Sequence, residues 1–364
     1  MMSFPLVLGW FSELTPEGIK AASEVEVVES IKLLTVCRRG TVTPTKSRVT
    51  ALAVVGIMTA AGPSLAAETK LTIPVFPFPG LGAFLSPVID AKDYDNANGL
   101  DITWKTEPAG VYRTNFAAGT NKIGGSATLL ADVAKLNELG VETVFLFNIF
   151  DYWGTVVVAA DSDINTLKDL QGNKLAASLA TMNYVMFRYA AKVSGLDISK
   201  TGIQGLPVQG LIPMALTGRV AGVQVWEPAH SQLVYGNSNF RALDVVGIVK
   251  TATGQSKVPY VGIAAHKSWV EENTDLIPKL FETYAMAATF IDNNPEEAAT
   301  IISDASSGRL TEDVLAELIK SDRLGMDVYW VSDALPAARA TFMAAMDIQY
   351  LTEMPSDDIV YVGK

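Results

Sequence analysis

The feature that most constrains the fold is a regular alternation of short apolar runs with helical runs, which begins at Leu71. Short apolar runs rich in β-branched residues predict buried strands, and their alternation with helices is typical of α/β proteins. The predicted strands are Leu71–Phe76, Leu100–Thr106, Thr143–Phe150, Thr155–Ala160, Lys174–Ser178 and Val220–Val225. The predicted helices between them are Val111–Ala118, Ala127–Leu139, Tyr184–Ser194 and Pro228–Tyr235. The sequence therefore predicts an α/β fold with parallel or mixed sheets covered by helices.

The last hundred residues differ, because one apolar strand, Val261–Ala265, is followed by helical periodicity alone. The predicted helices are Glu271–Asn293, Glu296–Asp304, Glu312–Ser321 and Asp333–Asp347. Their first turns carry typical start signals: Thr311 precedes an acidic turn, Pro295 suits a first helical position, and Ser332-Asp333 opens the last helix. The chain is therefore expected to end in a group of helices.

A chain of 364 residues is too long for most single cores, yet it contains no low-complexity linker. Two lobes can form without a linker if the chain crosses between them twice. We place these crossings, which would act as a hinge, near Ala159–Asp163 and near Lys257–Tyr260. The expected organisation is a discontinuous first lobe of residues 68–157 and 259–364, and an inserted second lobe of residues 158–258.

The first 67 residues have the pattern of an extension followed by a secretory signal. A basic flank, Lys46-Ser47-Arg48, precedes the apolar run Val49–Gly62, and Pro63–Ala67 supplies small residues for cleavage. The run is too short to cross a bilayer of ~30 Å as a helix. We expect export to the periplasm with cleavage near Ala66 or Ala67. A buried N-terminal helix is the alternative, and Arg38-Arg39 leaves the choice between general secretion and twin-arginine export open.

Composition excludes several classes of function. The net charge of −11 offers no basic surface for nucleic acid or for an anionic membrane. Two histidines and one cysteine, Cys37, cannot form the usual cysteine and histidine zinc site, and they leave little material for a nucleophilic catalytic system. We therefore expect no metal, no cofactor and no nucleic-acid partner.

Three segments resemble passages of a known family, in the family's order. Asp169–Ser178 (DLQGNKLAAS) followed by Tyr184–Leu196 is the first, Met214–Pro228 (MALTGRVAGVQVWEP) the second, and Ala285–Ala298 (AMAATFIDNNPEEA) the third. They resemble the periplasmic solute-binding proteins that bind nitrate, taurine, aliphatic sulfonates and thiamine-precursor pyrimidines. One departure is Ala221-Gly222, where the family usually has Asp-Ala.

The resemblance implies a type II periplasmic-binding-protein fold, with two lobes that close on a small molecule. It also implies a monomer that delivers its ligand to an ABC permease with a cytoplasmic ATPase, and no enzymatic activity. Two alternatives stay open. A sensor kinase could take the place of the permease, or the chain could be an enzyme, since a thiamine-pyrimidine synthase with a cysteine-rich motif shares this fold.

In such sheets, ligands lie beyond the carboxyl ends of the strands, where loops and helix N-termini supply N–H donors. Four segments fit that position, namely Phe76–Gly80, Gly124–Thr128 as a helix entry, Ser178–Tyr184, and Trp226–Pro228 with the proline at a first helical position. Helix capping or core packing is the alternative role for each. The predicted ligand-binding residues are Phe78, Pro79, Gly80, Tyr112, Ser126, Ala127, Thr128, Tyr152, Trp153, Ser178, Thr181, Asn183, Tyr184, Trp226, Glu227 and Tyr260.

Two classes of ligand fit these residues. A taurine-like or sulfonate anion, which we favour, would be held by backbone N–H groups and by the hydroxyls of Ser126, Thr128, Ser178 and Thr181. A pyrimidine or another planar heterocycle would stack on tyrosine or tryptophan and use Glu227 or Asn183 for its nitrogens. Basic candidates are sparse: Arg113 is the only arginine near a predicted loop, and we expect His230 on the surface.

Overall fold

The computed structural model describes residues 68–179 and 181–363 as alternating strands and helices. The strands are β1 (Thr69–Val75), β2 (Leu100–Thr106), β3 (Ile123–Leu129), β4 (Thr143–Asp151), β5 (Thr155–Ala159), β6 (Lys174–Ala177), β7 (Gly202–Gly205), β8 (Gly222–Val225), β9 (Phe240–Leu243), β10 (Pro259–His266) and β11 (Met326–Tyr329). The helices before β10 are α1 (Leu85–Lys92), α2 (Tyr94–Ala97), α3 (Ala109–Ala117), α4 (Leu130–Glu138), α5 (Met182–Val193), α6 (Leu211–Leu216), α7 (Ala229–Val234) and α8 (Val245–Thr253). The remaining helices are α9 (Lys267–Glu272), α10 (Leu276–Asn293), α11 (Pro295–Ala305), α12 (Glu312–Lys320) and α13 (Leu335–Asp347).

The strands form three sheets. β1 and β2 pair in parallel, a four-stranded sheet has the order β11-β4-β10-β3, and a five-stranded sheet has the order β7-β6-β8-β5-β9. β6 is parallel to β7 and β8, whereas β5 is antiparallel to β8 and β9, and β10 is antiparallel to β3 and β4. The predicted α/β fold is therefore confirmed, and the five-stranded sheet contains both parallel and antiparallel pairs. β5 and β10 follow the two passages between the larger sheets, and each enters its new sheet against the direction of the neighbouring strands.

The chain passes between the two larger sheets twice. It leaves the four-stranded sheet at Asp151 and enters the five-stranded sheet at Thr155, and it returns between Thr253 and Pro259. The first passage was predicted too late, near Ala159–Asp163 with a boundary at 157/158. Residues Thr155–Val158 pair with β8, so they already belong to the five-stranded sheet.

Several predicted elements have different limits. Gly124–Thr128 lie inside β3 and do not open a helix, because β3 pairs with β10 up to Leu129 and α4 begins only at Leu130. The predicted helix Glu271–Asn293 is two helices, and the Asn273 side chain at the break donates a hydrogen bond to the Trp269 carbonyl. The last helix begins at Leu335 after a 3₁₀ turn, and β7, β9 and β11 were not predicted.

Separate apolar clusters support the two larger sheets. One face of the five-stranded sheet packs against α5 and α8, and its other face packs against α6 and α7. The four-stranded sheet packs against α1, α10, α11 and α12. Helix α13 contacts α4 on one side and α5 and α8 on the other. The C-terminal helices therefore cover the four-stranded sheet and also contact helices that cover the five-stranded sheet.

No helix in the described part of the chain is long and apolar enough to cross a membrane. The predicted secretory signal and its cleavage position lie outside the described residues.

Close packing of β1 against β3 gives a test of this architecture. A methyl group on Gly125 would lie 2.2 Å from the carbonyl oxygen of Pro74 in β1. We expect Gly125→Ala to lower the free energy of unfolding by roughly 2 kcal/mol, because backbone atoms cannot yield as a flexible side chain can. Urea denaturation measures this value.

Gly110→Ala is the matched control, since no atom lies within 4 Å of the added methyl group in α3. It should leave stability unchanged or raise it by up to ~1 kcal/mol. Equal effects of the two variants would contradict the close approach of β1 and β3.

Candidate functional site

The segment after β1 makes several contacts with other residues of the chain. The Phe78 ring stacks on Phe84 with ring centres 6.1 Å apart, and the Phe78 carbonyl accepts a hydrogen bond of 3.3 Å from Arg309. Pro79 is exposed, and Gly80 closes a turn by donating its N–H to Pro77. Among the predicted residues of this segment, Pro79 is exposed, and Phe78 and Gly80 are half-buried.

The predicted hydroxyl groups of β3 already have partners within the chain. Ser126 donates to the Gly82 carbonyl, and the Thr128 hydroxyl pairs with the Tyr112 hydroxyl. Tyr112 also donates to the Gly125 carbonyl at 3.3 Å, and burial raises the pKa of Tyr112 above its ordinary value. All three side chains are buried, and Ala127 lies in the same strand. These hydroxyl groups therefore stabilise the β3 region and are not free to hold an anion.

The segment between β6 and α5 leads into a helix whose first N–H groups have no hydrogen-bond acceptor among the described residues. Thr181 is the N-cap of α5: its hydroxyl accepts from the Tyr184 N–H at 3.3 Å and donates to the Ser178 carbonyl at 2.8 Å. The N–H groups of Met182 and Asn183 have no acceptor among the described residues. The positive end of the helix dipole lies at the same place. The first turn of α5 can therefore bind an acceptor or an anionic group.

Two amide side chains are buried beside this turn. Gln224, in the middle of β8, donates from Nε2 to the Asn183 carbonyl at 3.4 Å. Gln224 Oε1 and Asn183 Oδ1 are both enclosed and have no donor among the residues that the structure describes. A buried acceptor without a partner costs about 1–3 kcal/mol. Sequence analysis missed Gln224, although a single amide between two valines was a signal that could have identified it.

Aromatic side chains surround the first passage between the sheets. The Tyr152 and Tyr260 rings meet edge to face with centres 5.3 Å apart, and Trp153 lies 5.0 Å from the His230 ring. Burial raises the pKa of both tyrosines, and the enclosed Tyr152 hydroxyl has no partner in the described part of the chain. The other two predicted aromatic residues, Tyr184 on α5 and Trp226 after β8, are half-buried.

Glu227 is fully enclosed and carries several hydrogen bonds. Its Oε1 accepts from His230 at 3.1 Å, from the Ser231 hydroxyl at 3.0 Å and from Arg323 at 3.1 Å, and its Oε2 accepts from the Ser231 N–H. Arg323 lies in the turn after α12, so this ion pair connects the two larger sheets. His230 is buried, which corrects its predicted surface position. Pro228 is the N-cap of α7 and precedes its first helical position.

Asp151 connects the two passages. Its Oδ1 accepts from the Tyr329 hydroxyl at 2.7 Å and from Asn148 at 3.0 Å, and its Oδ2 accepts from the Val258 N–H at 3.0 Å. Burial raises the pKa of Asp151, and the hydrogen bond from Tyr329 acts in the opposite direction. Lys257 lies 3.7 Å from the centre of the Tyr329 ring. Sequence analysis missed this group, because its members come from three distant segments.

Arg113 is already paired. Its Nε lies 3.6 Å from Asp132 Oδ2, and Asp132 Oδ1 accepts from the Tyr350 hydroxyl at 2.6 Å.

Two surface pockets of about 520 and 500 Å³ contain none of the predicted ligand-binding residues. Across the described ranges, no three histidine, cysteine, aspartate or glutamate side chains cluster as metal ligands would.

Comparisons with known proteins agree with this architecture. The model of the family described as NMT1/THI5 like matches residues 88–298. No curated protein sequence matches the chain. Among solved structures, the periplasmic aliphatic sulphonate binding protein SsuA of Escherichia coli is similar, with a TM-score of 0.68 at 16% identity over 82% of this chain and 93% of that one.

Two further structures are similar. The alkanesulfonate-binding protein SsuA of Xanthomonas axonopodis pv. citri, bound to MOPS, has a TM-score of 0.62 at 16% identity, over 81% of this chain and 98% of that one. The ligand-binding component of an ABC-type import system of Staphylococcus aureus has a TM-score of 0.61 at 9% identity, over 81% and 97%. The chain therefore has the α/β fold of type II periplasmic binding proteins.

The ion pair between Glu227 and Arg323 gives a second test. Arg323→Met leaves an enclosed carboxylate with fewer donors, so we expect the free energy of unfolding to fall by roughly 2 kcal/mol. Arg219→Met, at an exposed position, is the control and should change stability by less than about 0.5 kcal/mol. Adding Glu227→Gln to Arg323→Met should recover part of the loss. Equal stability of the two arginine variants would contradict a contribution from this pair.

Proposed function

The chain belongs to the NMT1/THI5-like family, and from that premise we propose that it is the solute-binding component of an ABC importer. In this role it captures a small organic molecule between two lobes and delivers it to a membrane permease with a cytoplasmic ATPase. The similar structures, all binding proteins by their descriptions, support the proposal. We propose that the protein acts as a monomer in the periplasm, and a sensor kinase remains the alternative recipient.

The proposed lobes follow the division of the strands among the sheets. The first comprises residues 68–154 and 259–364, and the second comprises residues 155–258, so the predicted boundary at 157/158 moves to the observed passage. Asp151 and its partners lie at the two passages, where a hinge has to lie. We propose that ligand binding rotates one lobe toward the other.

The favoured ligand is a taurine-like or sulfonate anion. The observation that carries this proposal is the first turn of α5, where the N–H groups of Met182 and Asn183 have no acceptor in the described structure. Such donors, together with the helix dipole, suit a sulfonate without any arginine. Ser178 lies beside the same turn, whereas Ser126, Thr128 and Thr181 use their hydroxyls within the chain.

A pyrimidine or another planar heterocycle is the second candidate. Its support is the group of aromatic rings at the first passage, because flat ligands gain from stacking. Glu227 carries hydrogen bonds on both oxygens, so Asn183 is the better partner for ring nitrogens. We propose binding and not catalysis, since the similar structures are described as binding proteins.

Ligand binding should stabilise and compact the protein. A thermal-shift screen would compare taurine, alkyl and aromatic sulfonates, nitrate, carboxylates and pyrimidines. A specific ligand at one hundred times its Kd adds about 2.7 kcal/mol of stability. Small-angle scattering at that concentration should then show a smaller radius of gyration than in the presence of a non-binding solute.

A stabilising ligand that causes no compaction would contradict lobe closure. Turnover of a substrate by the purified protein alone, with no stable binding, would contradict transport.

Trp226 provides a residue-level test. Its half-buried ring follows β8, and removal of a desolvated aromatic wall should weaken binding by roughly 2 kcal/mol. Isothermal titration of Trp226→Ala with the ligand found in the screen measures this loss. Trp269→Ala is the control, because Trp269 is also half-buried but lies on α9, at the opposite end of β10 from Tyr260. Equal affinities of the two variants would contradict a role for Trp226 in the site.

A further inference from the structure

We propose that Gln224, with Asn183 and Tyr152, forms a hydrogen-bond-accepting cluster that selects ligands carrying N–H donors. The proposal rests on the function proposed above and names the chemistry of the same site. It predicts a preference among otherwise similar ligands, for example an amino-sulfonate over the same sulfonate without its amino group. The three residues are called the acceptor cluster below.

The orientation of Gln224 is fixed by its own donor. Gln224 is 1% exposed and lies between Val223 and Val225 in β8, where a polar group is costly unless it is bonded. Its Nε2 donates to the Asn183 carbonyl, which requires that Oε1 be the atom without a partner. A flipped amide would place two carbonyl oxygens against each other. The free group of Gln224 is therefore an acceptor.

The strand register places the Tyr152 hydroxyl on the same side of the sheet as Gln224. Gln224 pairs with Val156, and paired residues of neighbouring strands point to the same face. Gly154 precedes Val156 by two positions, and a methyl group on Gly154 would lie 2.5 Å from the Tyr152 hydroxyl oxygen. Tyr152 also belongs to the same apolar cluster as Val156, so its hydroxyl lies beside Gly154 on the side of the sheet that carries Gln224.

Asn183 adds the third oxygen and also connects acceptors with donors. Its Oδ1 is enclosed and has no donor, while its backbone N–H belongs to the open first turn of α5. A ligand at this turn would present an anionic or acceptor group to the N–H groups of Met182 and Asn183. The same ligand would present an N–H group to the acceptor cluster. An amino-sulfonate and an aminopyrimidine both have this combination, whereas a plain alkanesulfonate and nitrate do not.

Isothermal titration of the full chain with matched ligand pairs tests the proposal. One pair is taurine and ethanesulfonate, and the other is a 4-aminopyrimidine and the same pyrimidine without its amino group. We expect the wild type to bind the aminated member of one pair roughly tenfold more tightly. Gln224→Met, which keeps the length of the side chain and removes the acceptor, should reduce that ratio to about twofold.

Two further variants make the result specific. Asn183→Leu should reduce the same ratio, and Gln204→Met, at an exposed position of β7, should leave it unchanged. The melting temperature of ligand-free Gln224→Met should stay close to that of the wild type, because the variant loses the 3.4 Å bond to the Asn183 carbonyl but also removes an acceptor without a partner. A fall of several degrees would show that the Gln224 amide serves the fold, and would overturn the proposal.

The outcomes separate the two proposals. If the wild type shows no preference within either pair, or the preference survives in Gln224→Met, the acceptor cluster is wrong and the importer function stands. If other solutes bind but neither pair does, the cluster is again wrong. If no solute in the screen binds the wild type, the proposed function fails together with the cluster.

Discussion

The arrangement of the two larger sheets depends on the hydrogen bonds of the Asp151 carboxylate. This carboxylate accepts hydrogen bonds from the Val258 N–H in the second passage and from the Tyr329 hydroxyl in β11, and the backbone N–H of Asp151 donates to the Gly325 carbonyl at 2.6 Å. Two chain passages and an edge strand thus meet at one half-buried acid. Any rotation of the five-stranded sheet about these passages has to keep or break these bonds. The positions of Tyr152 and Tyr260, next to Asp151 and to Val258, follow from the same group.

The architecture could be predicted from the sequence, because local runs determine most of its elements. The apolar runs of β4, β5 and β8 and the helical periodicity of α5 and α11 were found at almost their observed limits. Strand direction was not predictable in the same way. The four residues of β11 form a strand only because they lie beside β4, and β3 continues to Leu129 because β10 pairs with it. Pairing between distant segments leaves no trace in the local pattern.

The candidate site was predictable only in part, for the same reason. The capping pattern identified the start of α5, since the Thr181 hydroxyl accepts from the N–H three positions further along, that of Tyr184. The partner of Glu227 is 96 residues away, and nothing near Arg323 indicates it. Serine and threonine are residue types that often bind anions, but the hydroxyls of Ser126 and Thr128 form hydrogen bonds with the Gly82 carbonyl and the Tyr112 hydroxyl instead. Residue type indicates what a group can bind, and the fold decides whether it is free to do so.

Competition between the fold and the ligand for hydrogen-bonding groups therefore defines the site. Groups that the fold satisfies, such as Glu227 and Thr128, stabilise the protein with or without a ligand. Groups that it leaves without partners, such as Gln224 Oε1, each cost about 1–3 kcal/mol. A domain with a net stability of only ~5–15 kcal/mol keeps such groups at a substantial cost. A ligand that supplies the missing donors removes this cost when it binds, so the unsatisfied groups, and not the most polar residues, determine what the protein selects.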